Sequence, residues 1–94
     1  MTNSSWGGGS PLSGITNAFN TTRAAGVFHV AAAGNDGSTT IGWPANLDSL
    51  ISVAAMASNG TLASFSTHGN GLFISAPGQG IRTTDRSGSD GYSS

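Results

Sequence analysis

The sequence predicts an α/β chain built on a parallel sheet, with one βαβ unit and a short antiparallel hairpin. Three observations predict it. The runs Val27–Ala33 (VFHVAAA) and Leu50–Met56 (LISVAAM) are continuously apolar rather than alternating, the pattern of strands buried within a parallel sheet. Leu12, Ile15 and Phe19 recur at helical spacing ahead of the first run. Strand, helix and strand joined by short connections favour a right-handed parallel crossover.

Each element follows in order. Met1–Ser5 reads as the end of a strand, running into Trp6-Gly7-Gly8-Gly9, where glycines imply a closely approached backbone. Ser10 and Pro11 look like a helix start, serine as N-cap and proline at the first helical position. Gly14 weakens that helix by about 1 kcal/mol relative to alanine, and Gly26 is its stop signal. The second strand is Val27–Ala33. Residues 37–46 form a loop carrying Trp43 and Pro44, and Leu50–Met56 is the third strand. Ser58-Asn59-Gly60 is a turn before a short strand at Leu62–Phe65. A second turn, His68 to Gly71, precedes a strand at Leu72–Ser75, which Pro77-Gly78 ends. Ile81 begins a short extended piece, and Arg86–Ser94 carries no structural signal. No internal repeat is present.

Size and composition bound the function. At 94 residues the chain is one small domain or part of a larger one. Charged residues are only 7% of it, against about 25% in ordinary globular proteins, and neither lysine nor glutamate occurs. The formal net charge is −1 and no basic stripe exists, so nucleic acid is not an expected partner. No apolar run approaches the roughly 18 residues of a membrane span, so no membrane partner is expected. The N-terminus has no signal-peptide pattern. Without cysteine there is no disulfide framework or thiolate metal site. A 36% apolar content arranged in blocks argues against disorder. So few charges suit a segment whose surfaces are covered by other parts of a protein.

The chemistry centres on Ala31-Ala32-Ala33-Gly34-Asn35-Asp36. Small residues leave space above the strand end, and Asn35 falls at the carboxyl end of a strand, where α/β sheets place their ligands. A neutral amide there can donate hydrogen bonds to developing negative charge. Asn-Asp-Gly also makes an ordinary turn, and both readings stand at this point. His29 reads as a core histidine within a strand and His68 as a loop histidine; neither has neighbours at metal-ligand spacing. Trp6 and Trp43 either pack under loops or form an aromatic wall of a cleft. No nucleophile elbow, complete dinucleotide fingerprint or phosphate loop occurs.

Several segments together resemble the subtilisin-like serine proteases (subtilases). Asn3-Ser4-Ser5-Trp6-Gly7-Gly8 resembles that family's N-x-S-[LW]-G-G, and Ala32-Ala33-Gly34-Asn35-Asp36 its A-A-G-N-[DE]. Gly42-Trp43-Pro44-Ala45 resembles its Y-P-A loop, Ala63-Ser64-Phe65-Ser66 its A-S-F-S, and Ala76-Pro77-Gly78 its A-P-G. Their ordered succession spans nearly the whole chain. The resemblance implies part of a three-layer fold with a parallel sheet, with 1–94 as a partial catalytic domain. It implies Asn35 as the oxyanion donor and Ser5, Trp6 and Gly7 as one wall of the substrate cleft. Ala32, Ala33 and Gly34 are implied as the facing wall of the specificity pocket, with Gly42 near its floor and room for a large apolar side chain. The carbonyls of Ala45, Leu47 and Leu50 match a weak cation site in some members, which allows a structural Ca²⁺ in the parent protein; no other cofactor is expected.

The family's aspartate and histidine segments lie upstream of the Asn3–Gly8 motif, and its nucleophile segment lies just after the equivalent of Gly91-Tyr92-Ser93-Ser94. Thr67-His68-Gly69 falls where the family has a non-catalytic loop. The expectation is therefore an internal fragment of a secreted endopeptidase, inactive alone, whose partners are peptide substrates and the remainder of its own catalytic domain. The alternative is a stand-alone, non-catalytic α/β peptide-binding module.

Overall fold

A computed structural model describes residues 1–84 and 92–93 of the chain. The elements are β1 (Thr2–Ser4), α1 (Ser13–Ala24), β2 (His29–Ala32), β3 (Leu50–Met56), β4 (Ile74–Pro77), β5 (Thr83–Thr84) and β6 (Tyr92–Ser93). The first four strands form one parallel sheet in the order β1-β2-β3-β4. Strands β5 and β6 pair antiparallel as a separate ribbon. The α/β class and the parallel crossover expected from the sequence are present.

The sheet is covered unequally. Register places Ser4, Ala31 and Ser52 side by side, as it does Thr2, His29 and Leu50. On this face Ser4, His29, Ala31, Leu50, Ser52 and Ala54 are buried. The core is small: Ala31, Ile41, Ala45 and Leu50, with Phe19, Leu47 and Leu72 packed against it. The opposite face carries half-buried Val30, Ile51, Val53 and Ala55 beside exposed Ala32 and Ala76. Among the described residues no helix lies over that face.

Helix α1 is fastened to the sheet through His29. The Thr22 hydroxyl donates to the Ala18 carbonyl at 2.6 Å, so towards His29 Nε2, at 2.7 Å, it acts as acceptor. Nε2 therefore carries the proton, and Nδ1 accepts from the Thr2 hydroxyl at 2.6 Å. One buried imidazole thus ties β1, β2 and α1, with the Phe19 ring edge-on at 5.0 Å.

The helix stops as expected. Gly26 takes φ +99°, its N–H donates to the Arg23 carbonyl, and the Val27 N–H donates to the Thr22 carbonyl. These are the paired bonds of a Schellman motif. They also shorten β2, since Val27 belongs to the helix end rather than to the strand. The start differs from expectation. Leu12, extended at φ −103° and ψ 123°, is the N-cap, and no side chain caps the helix. The N-cap position thus falls two residues after Ser10, so the serine does not cap the helix.

Strand β3 matches the expected bounds. Leu62–Phe65 is not a strand: after a turn braced by Asn59 Oδ1 on the Thr61 N–H at 3.1 Å, one antiparallel bridge forms between Met56 and Leu62. The Ser66 hydroxyl then takes the Ala55 N–H, ending the antiparallel pairing. The expected strand Leu72–Ser75 starts two residues later, at Ile74; just before it the Ser52 hydroxyl donates to the Gly71 carbonyl, and the Phe73 N–H is shared between the Ser52 carbonyl and hydroxyl. Pro77 closes β4, which is tolerable because β4 is an edge strand. The extended piece expected near Ile81 is β5. Of the Arg86–Ser94 reading, all but Tyr92–Ser93 lies outside the described residues, and those two form β6.

Candidate active site

The carboxyl ends of β1 and β2 diverge around a cleft of about 430 Å³. Parallel strands leave such a crevice beyond their carboxyl ends, where backbone groups are no longer paired. Ser5, Trp6, Gly7 and Gly8 line one side. Ala32, Ala33, Gly34, Asn35 and Asp36 line the other, and Thr40, Gly42, Trp43 and Thr67 complete it. Every cleft residue expected from the sequence (Ser5, Trp6, Gly7, Ala32, Ala33, Gly34, Asn35 and Gly42) falls in this one depression.

The first side is stitched to the loop after β2. The Gly8 N–H donates to the Trp43 carbonyl at 3.1 Å. A Cβ on Gly7 would lie 3.2 Å from that same oxygen, so the close approach favours glycine. Trp43 is buried, donates from Nε1 to the Thr16 hydroxyl at 3.2 Å, and meets Trp6 edge-on at 5.5 Å. Trp6 is 46% exposed. The two readings of the tryptophans are thus divided between them: Trp43 packs under the loop and Trp6 forms the wall.

The second side is a braced turn. The Ala33 N–H continues the ladder to the Val53 carbonyl at 2.9 Å. Beyond it, residues 34–38 run beside 65–68, joined by four hydrogen bonds: Thr67 N–H to the Gly34 carbonyl, Gly37 N–H to the Phe65 carbonyl, His68 N–H to the Ser38 carbonyl, and the Thr67 hydroxyl to Asp36 Oδ1 at 2.6 Å. Gly34 has φ +126°, and a Cβ there would lie 2.7 Å from the Thr67 hydroxyl oxygen. Asp36 Oδ1 also accepts the Ser38 N–H at 3.3 Å, the turn bond expected of Asn-Asp-Gly. The Thr67 hydroxyl, and then the Ser38 N–H, hold the Asp36 carboxyl below its ordinary value of 3.8.

Asn35 stands apart within this brace. It is exposed, and among the described residues its carboxamide has no hydrogen-bond partner in the chain. It also lines a second concavity of about 410 Å³ on the thinly covered face of the sheet, with Val30, Val53, Ala55 and Ala76. A neutral amide on the ridge between two depressions has its donors free for a ligand.

His29 is buried in the strap described above, and His68 is half-buried with Nδ1 3.2 Å from the Ser66 carbonyl. Among the described residues no three histidine, aspartate or glutamate side chains gather to hold a metal. At the carbonyls of Ala45, Leu47 and Leu50, the Leu47 oxygen already accepts the Leu50 N–H at 3.0 Å. Sequence reading missed Gly8, Asp36, Thr40 and Thr67 as cleft residues. Asp36 was legible only as a turn aspartate, and Thr67 arrives from a segment distant in sequence.

The chain is 46% identical over 83 residues to an "Extracellular protease" of Xanthomonas campestris pv. campestris, covering 87% of this chain and 14% of that protein. It is 44% identical over 86 residues to Subtilisin DY of Bacillus licheniformis, covering 87% of this chain and 31% of that one. The chain therefore spans less than a third of the length of these relatives. The structure superposes with a TM-score of 0.78 on the psychrophilic subtilisin-like protease Apa1 of Pseudoalteromonas sp. AS-11, at 42% identity, over 85% of this chain and 18% of that one. The model of the subtilase family (peptidase S8) matches residues 1–93. The chain belongs to the subtilase family.

Proposed function

We propose that this chain is a segment of a subtilisin-like serine endopeptidase and supplies its oxyanion donor and its substrate-cleft walls. The observation that carries the reading is Asn35: an exposed, unpartnered carboxamide at the rim of a cleft, on a turn whose other members are all bonded. Acyl transfer to a serine turns a planar carbonyl into a tetrahedral oxyanion. A donor held in place before reaction stabilises that charge without reorganising.

Protein or peptide substrates follow from the family. Ser5, Trp6 and Gly7 prolong the free edge of β1, so an extended peptide can add to them as a further strand. Ala32, Ala33 and Gly34 leave room opposite for a substrate side chain, with Gly42 near the floor. The nucleophile and its base and acid partner belong to the rest of the catalytic domain, so the segment alone has no proteolytic activity. Within this family, loss of the triad costs about 10⁶ in kcat. An extracellular location for the parent is supported by the Xanthomonas relative, whose name places that protein outside the cell. A structural cation at the Ala45, Leu47 and Leu50 carbonyls belongs to the same proposal; oxygen ligands of this type suit Ca²⁺.

The test is Asn35→Ala in the full-length protein. Removal of one such donor costs about 10²–10³ in kcat, a magnitude known from this family rather than deduced from the present geometry. KM is expected to stay near the parental value, because the interaction strengthens only as charge develops. An unchanged kcat refutes the role.

A further inference from the structure

We propose that Thr67 is the positioning residue for the Asn35 carboxamide; the inference rests on the oxyanion reading above and adds a residue to it. Asn35 follows a glycine at φ +126° and precedes Asp36-Gly37, with Gly37 at φ +64°. Such a turn has little intrinsic preference for one conformation, since glycine populates many. A donor on it is useful only if something external holds it.

Thr67 grips the turn on both sides of Asn35. Its N–H binds the Gly34 carbonyl at 3.0 Å, and its hydroxyl binds Asp36 Oδ1 at 2.6 Å. The residue before Asn35 and the residue after it are thereby tied to one side chain and its own backbone. The hydroxyl sits where a Cβ on residue 34 would collide with it, so Gly34 and Thr67 fit as a pair. Thr67 is only 2% exposed, so its own rotamer is held by packing. Asp36 is the exposed end of the clasp. Its hydrogen bond to Thr67 joins a charged acceptor to a hydroxyl, the stronger kind of bond.

Thr67 touches the cleft but acts through Asn35. Substitution should therefore change turnover and spare ground-state binding. In the full-length protein, Thr67→Val removes the hydroxyl and keeps the shape. The expected result is a kcat lower by about 10–10²-fold, the scale on which small misplacements act, with KM near the parental value. Thr67→Ser, which restores the donor, should recover most of the turnover. Asp36→Ala opens the clasp from its exposed end and should give the same selective loss in kcat, which keeps the test decisive if Thr67→Val folds poorly.

The decisive arm is the double variant. If Thr67 works by placing the Asn35 amide, Thr67→Val added to Asn35→Ala lowers kcat little further, because residues acting as one unit are non-additive. A second loss as large as in the parental background shows a general structural role and overturns the inference. Parental kcat in both Thr67→Val and Asp36→Ala, alongside a large loss in Asn35→Ala, also overturns it and leaves the oxyanion reading standing. Parental kcat in Asn35→Ala removes the oxyanion reading, and this inference with it.

Discussion

At the scale of single residues, the proposed function rests on contrast within one turn. Gly34, Asp36, Gly37 and Ser38 are bonded, and Asn35 between them is not. That contrast has consequences for stability as well as for chemistry. Gly34→Ala forces a side chain into a left-handed conformation and against the Thr67 hydroxyl. It should lower stability by roughly 1–3 kcal/mol, the ordinary scale of such strain, read as a fall in the urea midpoint. Asp36 links the clasp to pH. Its carboxyl titrates below 3.8 when folded, chiefly because the Thr67 hydroxyl donates to the charged form. A group with a depressed folded value contributes stability that is full above its unfolded value and is lost as pH falls through the folded value. Urea midpoints of parent and Thr67→Val should therefore differ most near neutrality and converge as pH falls below 3.8. A gap that widens in acid has the wrong sign for this bond.

At the scale of elements, α1 buries no residue fully and is held by its C-terminal bonds, by His29, by the Trp43–Thr16 hydrogen bond and by Phe19 against the core. Gly26→Ala places a Cβ at φ +99°, which costs about 1–2 kcal/mol for an L-residue. Thr22→Val leaves His29 Nε2 buried without an acceptor and should cost about 1–3 kcal/mol. Thermal unfolding of the full-length variants measures both. The same elements show what a sequence reveals. The bounds of β3 were legible because LISVAAM is a closed apolar run between turn signals. The helix end was legible because only glycine readily takes that conformation. The cleft was legible because motif order carries the resemblance and parallel strands deliver their carboxyl ends together. The helix start was not, because Leu12 takes the N-cap position although the local preference for a cap lies at Ser10-Pro11. The start of strand β4 was not, because the approach of Gly71 and Phe73 to Ser52 is a contact between segments distant in sequence. The Thr67–Asp36 clasp leaves no periodic trace, being a contact between two loops.

At the scale of the whole molecule, the sheet is half dressed. The chain's accessible surface of 6148 Å² exceeds the roughly 5,000 Å² of a compact monomer of this mass. Phe73 is 72% exposed and Ile74 53%, at an edge of the sheet. Parallel sheets are normally covered on both faces. The isolated 94 residues should therefore bind a hydrophobic dye such as ANS and unfold without a sharp transition, whereas a sharp calorimetric peak would favour a self-sufficient binding module. In the full-length protein the role proposed for Asn35 is one interaction, with negative charge that develops on the carbonyl oxygen as the tetrahedral species forms. The most direct measurement is the affinity of parent and Asn35→Ala for two peptides of one sequence, an aldehyde that forms a tetrahedral adduct and the corresponding neutral alcohol, which cannot. The aldehyde should lose affinity in proportion to the loss in kcat while the alcohol binds equally to both proteins. Equal weakening of the two, or of neither, contradicts Asn35 as the oxyanion donor.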